Sequence, residues 1–408
     1  MRILHTADWH LGKTIEGRDR TKEQEDFLIE INDIANKESI DLVLIAGDVF
    51  QTPNPSAAAE ELFYEYITQL SNGGKRGIVI IAGNHDNPER IKASVPLANK
   101  LGITIVGFPK DELTLTKNPA TIVNRINTDY SFVELTIPKE KHHASVIALP
   151  YPSEGRLREL LSKTFDEKEL HKNYNLAVKT LLNNTAKNFK KNSVNIILSH
   201  LFLNGGSQSD SENEISLGGA YSLDIDIFPE STQYVALGHL HRPQNIKGGP
   251  CPIRYAGSPL SYSFSEITHT KSVTIADILP QKAPKINEVF LSAGKPLVKW
   301  KAAEGLPQVR SWISENKDSS AWIDLELYVD KHLEISEIQE LKTLHDGFLN
   351  IRYILKNQNE YFIKETINLA NTPLNELFIK FYEKQKGIKP DEKVVTAFLD
   401  IVKDIKHN

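Results

Sequence analysis

The chain has 408 residues, of which 40% are hydrophobic and 25% charged, and its formal net charge is -5 with an isoelectric point near 6.3. This length exceeds what one hydrophobic core usually organises, so two or three domains are expected, and the composition excludes a disordered or fibrous chain. The acidic balance excludes a generally basic nucleic-acid coat, so any contact with DNA has to be local.

Cysteine usage and hydropathy indicate the compartment. Cys251 is the single cysteine, so an internal disulfide cannot form and a reducing environment is favoured. The first residues lack an apolar leader pattern, and no run of about 18 apolar residues occurs. We therefore expect a cytoplasmic protein without a membrane span.

Short β-branched runs alternate with helical patterns over the first 276 residues, which is typical of an α/β fold. The runs predict strands buried on both faces, as in sheets covered by helices. These strands are predicted at 2–6, 42–46, 78–82, 194–199 and 234–237, with helices at 22–38 and 57–70. The β-rich stretches 103–150 and 251–278 are expected to extend or complete the sheets.

The pattern changes after Pro280, and two further units are predicted. An extended stretch at 289–300, helices near 306–315 and 335–344, and strands at 322–329 and 348–355 indicate an α+β unit over 283–357. Two amphipathic stripes follow within 373–408: Leu374, Leu377, Phe378 and Phe381, then Val394, Phe398, Ile401 and Ile405. Periodicity alone favours packing of this helical tail on its own chain and leaves a partner-binding surface open.

A polar stretch at 205–219 interrupts the first unit. It carries Asp210, Glu212 and Glu214 among serines and glycines, a composition that predicts a surface loop. A solvated connection is favoured over a functional site for this acidic loop.

Polar side chains follow each of the five predicted strands. The segments are Ala7-Asp8-Trp9-His10, Gly47-Asp48, Gly83-Asn84-His85-Asp86, Ser199-His200 and Gly238-His239-Leu240-His241. Strand carboxyl ends form the rim where α/β sheets place their sites, and a preceding glycine lets the backbone bend. One such residue alone is usually a turn, a cap or a satisfied core group. Burying the whole set without a metal would leave many polar groups unsatisfied.

The ligands expected to converge are Asp8, His10, Asp48, Asn84, His200, His239 and His241. Oxygen and imidazole donors without a thiolate disfavour a structural zinc site and suit Mn²⁺ first, with Fe²⁺ or Mg²⁺ as alternatives. Seven ligands exceed what one catalytic ion takes from protein, so two ions sharing Asp48 are predicted. Such a pair supplies a nucleophile and neutralises phosphoryl oxygens, which points to phosphoester hydrolysis.

This series of strand-end motifs resembles the calcineurin-like metallophosphoesterases. Within that superfamily, residues 6–13, 46–50, 83–86 and 255–260 are similar to motifs of the SbcD family of nuclease subunits, bacterial relatives of the eukaryotic double-strand-break repair nuclease. Residues 263–266 and 271–273 extend the likeness, which is strong over 1–280 and rests on domain order beyond. It implies a layered α/β sandwich over 1–280, a small α+β cap over 283–357 and a C-terminal helical tail over 373–408.

The resemblance also implies roles for the site residues. One ion would be bound by Asp8, His10 and His241, the other by Asn84, His200 and His239, and both by Asp48. His85 would stabilise the transition state or protonate the leaving oxygen, with Asp86 orienting it. A plain hydrogen-bonding role is the alternative for His85.

The function implied is that of a DNA nuclease, an exonuclease on double strands and an endonuclease on hairpins and single strands, serving repair, replication and recombination. The cap would grip DNA, and the tail would bind an SMC-like ATPase of the SbcC type, in a heterotetramer built on a homodimer. The alternatives are a small-molecule phosphodiesterase with the same rim, which needs neither cap nor tail, and a non-catalytic scaffold for the ATPase.

Local cations beside the motifs are candidates for contact with DNA. They are Lys13, Arg18, Arg20, Arg90 and Arg242, each of which could equally be a solvated charge. Phosphate contacts position a duplex without reading its bases, so little sequence specificity is expected.

Overall fold

The structure is a computed structural model that describes residues 1–153, 155–157, 174–210, 212 and 222–356, together with 378, 379, 382, 390, 391, 394–396 and 398. Part of the acidic loop and most of the helical tail therefore lie outside the described residues. Residues 1–354 and 355–408 form two compact units.

Two sheets organise the first unit. The first, six-stranded sheet contains β1 (Arg2–Thr6), β2 (Leu42–Ile45), β3 (Gly77–Ile81), β4 (Ile103–Val106), β14 (Ser272–Asp277) and β15 (Lys285–Phe290). The second, seven-stranded sheet contains β5 (Asn124–Asp129), β6 (Phe132–Thr136), β7 (Ala144–Leu149), β8 (Val194–His200), β11 (Tyr234–Gly238), β12 (Gln244–Ile246) and β13 (Ile253–Tyr255). The strand order is β15-β14-β1-β2-β3-β4 in the first sheet and β12-β13-β11-β8-β7-β6-β5 in the second. Two short strands, β9 (Phe202–Leu203) and β10 (Ser222–Leu223), pair separately.

Alternate residues of each strand point to opposite layers, which builds a four-layer arrangement. One face of each sheet contributes to a shared core, represented by Leu44 on β2 and Leu198 on β8. The other face of the six-stranded sheet packs on α1 (Thr21–Lys37) and α2 (Ala57–Leu70). The other face of the seven-stranded sheet packs on α5 (Tyr174–Thr185). The predicted layered α/β sandwich is confirmed.

Two short helices complete this unit: α3 (Pro88–Lys92) and α4 (Val95–Ala98). The five predicted strands and the two predicted helices occur within one or two residues of their expected bounds. The β-rich stretches join the sheets as expected, because β4 and β14 belong to the first sheet and β5–β7 and β13 to the second.

A smaller α+β unit follows, with β16 (Leu297–Ala302), α6 (Leu306–Ser314), β17 (Trp322–Val329), α7 (Ile335–Leu344) and β18 (Phe348–Leu355). Its three-stranded sheet has the order β16-β17-β18, and β16 runs parallel to β17. The single extended stretch expected at 289–300 is wrong. β15 pairs with β14 of the six-stranded sheet, and a turn at Gly294, whose φ is +92°, separates it from β16. The domain bounds 1–280, 283–357 and 373–408 stay a prediction.

Within the second unit, one ring from each amphipathic stripe is described. Phe378 and Phe398 stack with centroids 4.0 Å apart and planes 6° apart. The two stripes therefore contact each other at this point. Among the described residues no helix has the length and apolar character needed to cross a membrane.

Candidate metal centre

The carboxyl ends of five strands meet at one rim. β1, β2 and β3 run parallel in the first sheet, as do β8 and β11 in the second, so the residues after each strand lie on the same side. The predicted ligands are brought together there. They are all buried except Asn84, which is partly exposed: Asp8, His10, Asp48, Asn84, His200, His239 and His241.

The backbone of the rim is strained. Asp8, His10, Asp48 and His239 have φ values of 53°, 46°, 49° and 102°, in the region that side-chain-bearing residues rarely adopt. Such conformations cost on the order of 1–3 kcal/mol each and persist where surrounding contacts enforce them. Here the His10 N–H donates to the carbonyl of Asp48 at 2.9 Å, and the His239 N–H donates to Asp8 Oδ1 at 2.9 Å.

Glycines before the ligands serve mainly to let strand ends approach one another. A Cβ on Gly83 would lie 2.1 Å from Asp48 Oδ1, and one on Gly238 would lie 1.9 Å from the carbonyl oxygen of Ala46. Neither glycine has a positive φ, so the expected bending role does not apply to them. Among the three glycines that directly precede ligands, Gly47 alone uses that freedom, with a φ of +85°.

The Asp48 carboxylate lies between two groups of ligands. Its Oδ2 is 3.7 Å from His10 Nε2 and 3.5 Å from His200 Nε2. On one side His10 Nε2 faces His241 Nε2 at 3.1 Å. On the other side Asn84 Oδ1 lies 2.8 Å from His200 Nε2 and 3.3 Å from His239 Nδ1.

Some buried atoms of the predicted ligands have no hydrogen-bond partner in the part of the chain that the structure describes. Asp8 Oδ2 and His239 Nε2 are buried without a hydrogen-bond partner, which is costly in a protein interior. Two imidazole nitrogens that face each other at 3.1 Å can bond only if one carries a proton, whereas a shared cation satisfies both lone pairs. Among the described residues, two clusters have ligand atoms close enough for one ion, and both contain Asp48. The donor set fits divalent cations.

Burial sets the protonation states of these ligands. It lowers the pKa of His10, His200 and His239, and neighbouring histidines lower it further at His10 and His239. A neutral imidazole presents a lone pair to a cation. Burial and the charge of Asp48 raise the pKa of the Asp8 carboxyl, so a bound cation would restore its ionised form.

His85 is the more accessible histidine of the rim. Its ring lies edge-on to that of His10, with centroids 4.8 Å apart, and its backbone N–H donates to Asp48 Oδ1 at 2.9 Å. Its Nδ1 lies 2.8 Å from the carbonyl oxygen of Gln51, to which the protonated nitrogen donates. Nε2 is then the nitrogen at which the ring gains or loses its second proton. One candidate ligand cluster also contains His85 with His10 and Asp48.

The role of Asp86 in orienting His85 stays a prediction. The Asp86 carboxylate accepts backbone N–H groups, from Gly83 at 2.8 Å, Phe50 at 2.9 Å and Val49 at 3.2 Å. It thus joins the loop after β3 to the loop after β2. The carbonyl of Gln51 lies within hydrogen-bond distance of the His85 ring, and Asp86 fixes the loop that carries His85.

Two residues for which the sequence motifs predicted no role lie next to His241. Glu266 Oε1 is 3.4 Å from His241 Nδ1, and Lys271 Nζ donates to Glu266 Oε2 at 2.5 Å. Burial would raise the pKa of Glu266, but the bond from His241 and the charge of Lys271 hold it well below its usual range. The only sequence signal for these two residues was that segments 263–266 and 271–273 resemble motifs of the family.

Tyr262 packs against the imidazole rings of His10 and His241. Its ring lies 5.4 Å from that of His10 and 5.6 Å from that of His241, and its hydroxyl donates to the carbonyl of Trp9. Lys13 Nζ lies 4.9 Å from the ring centroid. The ligand rings are therefore packed as well as hydrogen-bonded.

The candidate DNA-contacting cations differ in accessibility. Arg18 and Arg242 are exposed, Lys13 is half-buried, and Arg90 is held by Glu60 at 2.9 Å. Arg20 is only 2% exposed. It forms a bidentate pair with Glu23, so its proposed contact with DNA is wrong.

Part of the acidic loop reaches the rim. Oε1 of Glu212 accepts the backbone N–H of His241 at 2.7 Å. Asp210 is exposed, and Glu214 lies outside the described residues. At Glu212 the loop is therefore not a purely solvated connection.

Fold and rim together define a class of protein. Residues 1–243 match the calcineurin-like phosphoesterase family. Among curated relatives, the SbcD subunit of the nuclease SbcCD from Bacillus subtilis (strain 168) is 47% identical over 407 residues, covering 100% of this chain and 99% of the relative. Proteins of the same name from Rhodobacter capsulatus and Staphylococcus epidermidis are 34% and 29% identical, covering 70% and 89% of this chain and 68% and 88% of their own. The chain belongs to the SbcD family of nuclease subunits within the calcineurin-like phosphoesterases.

Proposed function

We propose that this chain is the nuclease subunit of an SbcCD-type, ATP-dependent complex and hydrolyses DNA phosphodiester bonds with two divalent metal ions. Mn²⁺ is the first choice, because imidazoles form most of the donor set, and Mg²⁺ or Fe²⁺ are alternatives. The observation that carries the proposal is the convergence of two ligand groups on Asp48 in a chain related over its full length to nuclease subunits. The substrates proposed are double-stranded ends, hairpins and single strands.

The two half-sites divide the ligands as follows. One ion is assigned to Asp8, His10 and His241, the other to Asn84, His200 and His239, and Asp48 is shared. Bound there, the ions would supply a nucleophile at neutral pH and offset the negative charge of the phosphoryl oxygens. The strained backbone and the close glycines fix the ligands before substrate arrives, so little reorganisation is needed during reaction.

His85 is proposed to act as the proton donor. Its Nδ1–H is directed at the Gln51 carbonyl, which leaves Nε2 to hold the proton that the leaving oxygen receives. Partial exposure gives a substrate access to this ring, unlike the fully buried histidines around it. Asp86 contributes by fixing the loop that carries His85.

The path of the DNA is proposed to pass the exposed cations at the rim and the α+β cap. Arg18 and Arg242 are exposed, whereas Arg20 is buried and cannot reach DNA. The two exposed arginines follow the first and the last ligand motif in the sequence. Contacts of this kind engage phosphates rather than base edges. Binding should therefore weaken with salt and depend little on sequence.

We assign the helical tail to the SbcC-type ATPase and a second surface to dimerisation. Leu97 on α4 is 69% exposed and borders an apolar groove that also contains Phe63, Tyr64 and Ile67 of α2. An exposed apolar patch of this kind suits a second copy of the chain, as a homodimer within a heterotetramer. The proposed compartment is the cytoplasm, where Cys251 stays reduced.

The alternatives have less support. A small-molecule phosphodiesterase or an inert scaffold could share parts of this architecture. The match to the Bacillus subtilis nuclease subunit extends over residues beyond the phosphoesterase domain, and each predicted ligand is present at the rim.

The test is hydrolysis by the purified chain with Mn²⁺, comparing linear DNA, hairpin DNA and a small phosphate bis-ester, beside Asp48→Ala. We expect metal-dependent cutting of DNA that the variant loses. Cleavage of the bis-ester with no cutting of DNA, even with the ATPase partner supplied, would contradict the proposal.

A further inference from the structure

A carboxylate and a lysine lie buried behind His241. Glu266 is 0% exposed and Lys271 is 8% exposed, both within the segment that joins β13 to β14. Lys271 Nζ donates to Glu266 Oε2 at 2.5 Å, to Ser258 Oγ at 2.9 Å and to the carbonyl oxygen of His241 at 3.0 Å. All three of its protons are therefore accounted for, and none is directed at substrate.

The other carboxylate oxygen faces the imidazole. Glu266 Oε1 lies 3.4 Å from His241 Nδ1 and accepts the backbone N–H of Tyr262 at 3.3 Å. Lys271 holds the carboxylate and the His241 backbone at once, so the position of the ring relative to the carboxylate is fixed from both ends. An ionised carboxylate only accepts hydrogen bonds, so the proton of the neutral ring is placed on Nδ1.

We propose that Glu266, held by Lys271, is a positioning residue that fixes the tautomer and orientation of His241, so that Nε2 is the atom presented to a divalent cation. The inference rests on the proposed function and goes beyond it, because it assigns a role to residues outside the seven ligands. Carboxylate partners of this kind orient metal-binding histidines, and their loss typically weakens metal affinity about 10–100-fold. The ion bound through His241 should be affected and the other ion should not.

The chain contains a matched control for this arrangement. Glu134 on β6 is buried and lies 2.7 Å from Lys190 Nζ and 3.0 Å from His143 Nδ1. This second cluster also consists of a glutamate, a lysine and a histidine, but none of the three is one of the seven proposed ligands. A change there tests the cost of removing a buried carboxylate by itself.

The variant Glu266→Gln distinguishes control of the His241 tautomer from an effect of packing, because Lys271 fixes how the new amide is oriented. The ammonium group only donates, so it selects the amide oxygen of glutamine and turns the NH₂ group toward His241 Nδ1. The ring must then carry its proton on Nε2, which opposes binding of a cation there. Shape and volume are nearly unchanged, so packing alone predicts no such effect.

The experiment is calorimetric titration of the full chain with Mn²⁺, together with ¹⁵N NMR of labelled histidines to read the tautomer of His241. The wild type should bind two ions, Glu266→Gln should weaken one of them by about 10–100-fold and shift the tautomer, and Glu134→Gln should change neither. A double variant, Glu266→Ala with Lys271→Met, avoids an unpaired buried lysine and should lose the same ion.

The outcomes separate the two claims. Two intact Mn²⁺ sites in the Glu266 variants would overturn this inference while leaving the proposed function in place. Equal loss in the Glu134 variant would also overturn it, since a general effect of losing a buried charge would then suffice. A wild-type chain that binds no Mn²⁺ would contradict the proposed function itself and this inference with it.

Discussion

His85 differs from the other histidines at the rim in its access to solvent. His10, His200, His239 and His241 are at most 2% exposed, whereas His85 is half-buried. A ligand gains from complete burial, while a proton donor has to meet its substrate. The ring is nevertheless close enough to His10 and Asp48 to be a ligand, so the two roles need separating.

Replacing His85 with alanine separates them. We expect the variant to bind two Mn²⁺ ions as before and to cut DNA about 10²–10⁴-fold more slowly, the usual contribution of a general acid. Calorimetric titration with Mn²⁺ and single-turnover cleavage measure the two quantities. His142→Ala, which lies outside the ligand motifs of the sequence, is the control. Loss of one ion would make His85 a ligand, and an unchanged rate at saturating Mn²⁺ would remove it from the mechanism.

At this scale the motifs predicted where the ligands lie but less about what supports them. Asp8 and His239 could be placed because each follows a buried strand, and strand ends meet. Arg20 was misread as a surface cation, because its burial against the Ser261 carbonyl depends on packing with a segment distant in sequence. The backbone N–H groups of Val49 and Phe50, whose hydrogen bonds Asp86 accepts, are likewise remote from its own motif. Glu266 lies 25 residues from His241. Their contact arises because the connection after β11 and the connection between β13 and β14 meet in space, which no local pattern reveals.

Among the elements, α1 holds the connection between the sandwich and the three-stranded sheet. Glu30 accepts the backbone N–H groups of Ser292 and Ala293, each at 2.8 Å. About two turns earlier, Glu23 accepts the indole N–H of Trp322 on β17 at 2.9 Å. A single helix therefore fixes the chain on both sides of the turn at Gly294.

The Glu23 contact has a defined dependence on pH. Burial would raise the pKa of this carboxyl, but the bonds from Arg20, the Lys295 backbone and Trp322 hold it below its ordinary value of 4.5. A lowered folded-state pKa contributes stability that is present above pH 4.5 and is lost as the pH falls through the folded-state value.

We therefore expect Glu23→Gln to destabilise the chain at pH 7 by about 1.5–3 kcal/mol, the usual contribution of a charged hydrogen bond. The difference from wild type should shrink below pH 4.5. Thermal unfolding followed between pH 7 and pH 3 checks both points. Asp33→Asn, on the same helix but exposed, should have little effect. A difference that stays constant with pH would show that the charge of Glu23 is not what stabilises the contact.

Strands and helices of the sandwich were predictable because their patterns are strong and local. Strands such as β2 and β3 are buried on both faces, so they appear as uninterrupted apolar runs. The sheet to which a strand belongs is not local information. β15 and β16 read as one extended stretch, and only their different pairing partners separate them.

For the molecule as a whole, the helical tail is the part proposed to join the ATPase. Deleting residues 373–408 should abolish copurification with the SbcC-type ATPase and leave Mn²⁺ binding unchanged, because no proposed ligand lies in that segment. Undiminished copurification would disprove the assignment. A matched variant, Leu97→Glu, should affect self-association but not capture of the ATPase.

The most direct test of the account is a crystal structure of the full chain with Mn²⁺, with the ions located by anomalous scattering. We predict two peaks about 4 Å apart, both in contact with Asp48 and one in contact with His241 Nε2. A single peak, or a pair that Asp48 does not join, would contradict the two-ion centre from which the proposed nuclease activity follows.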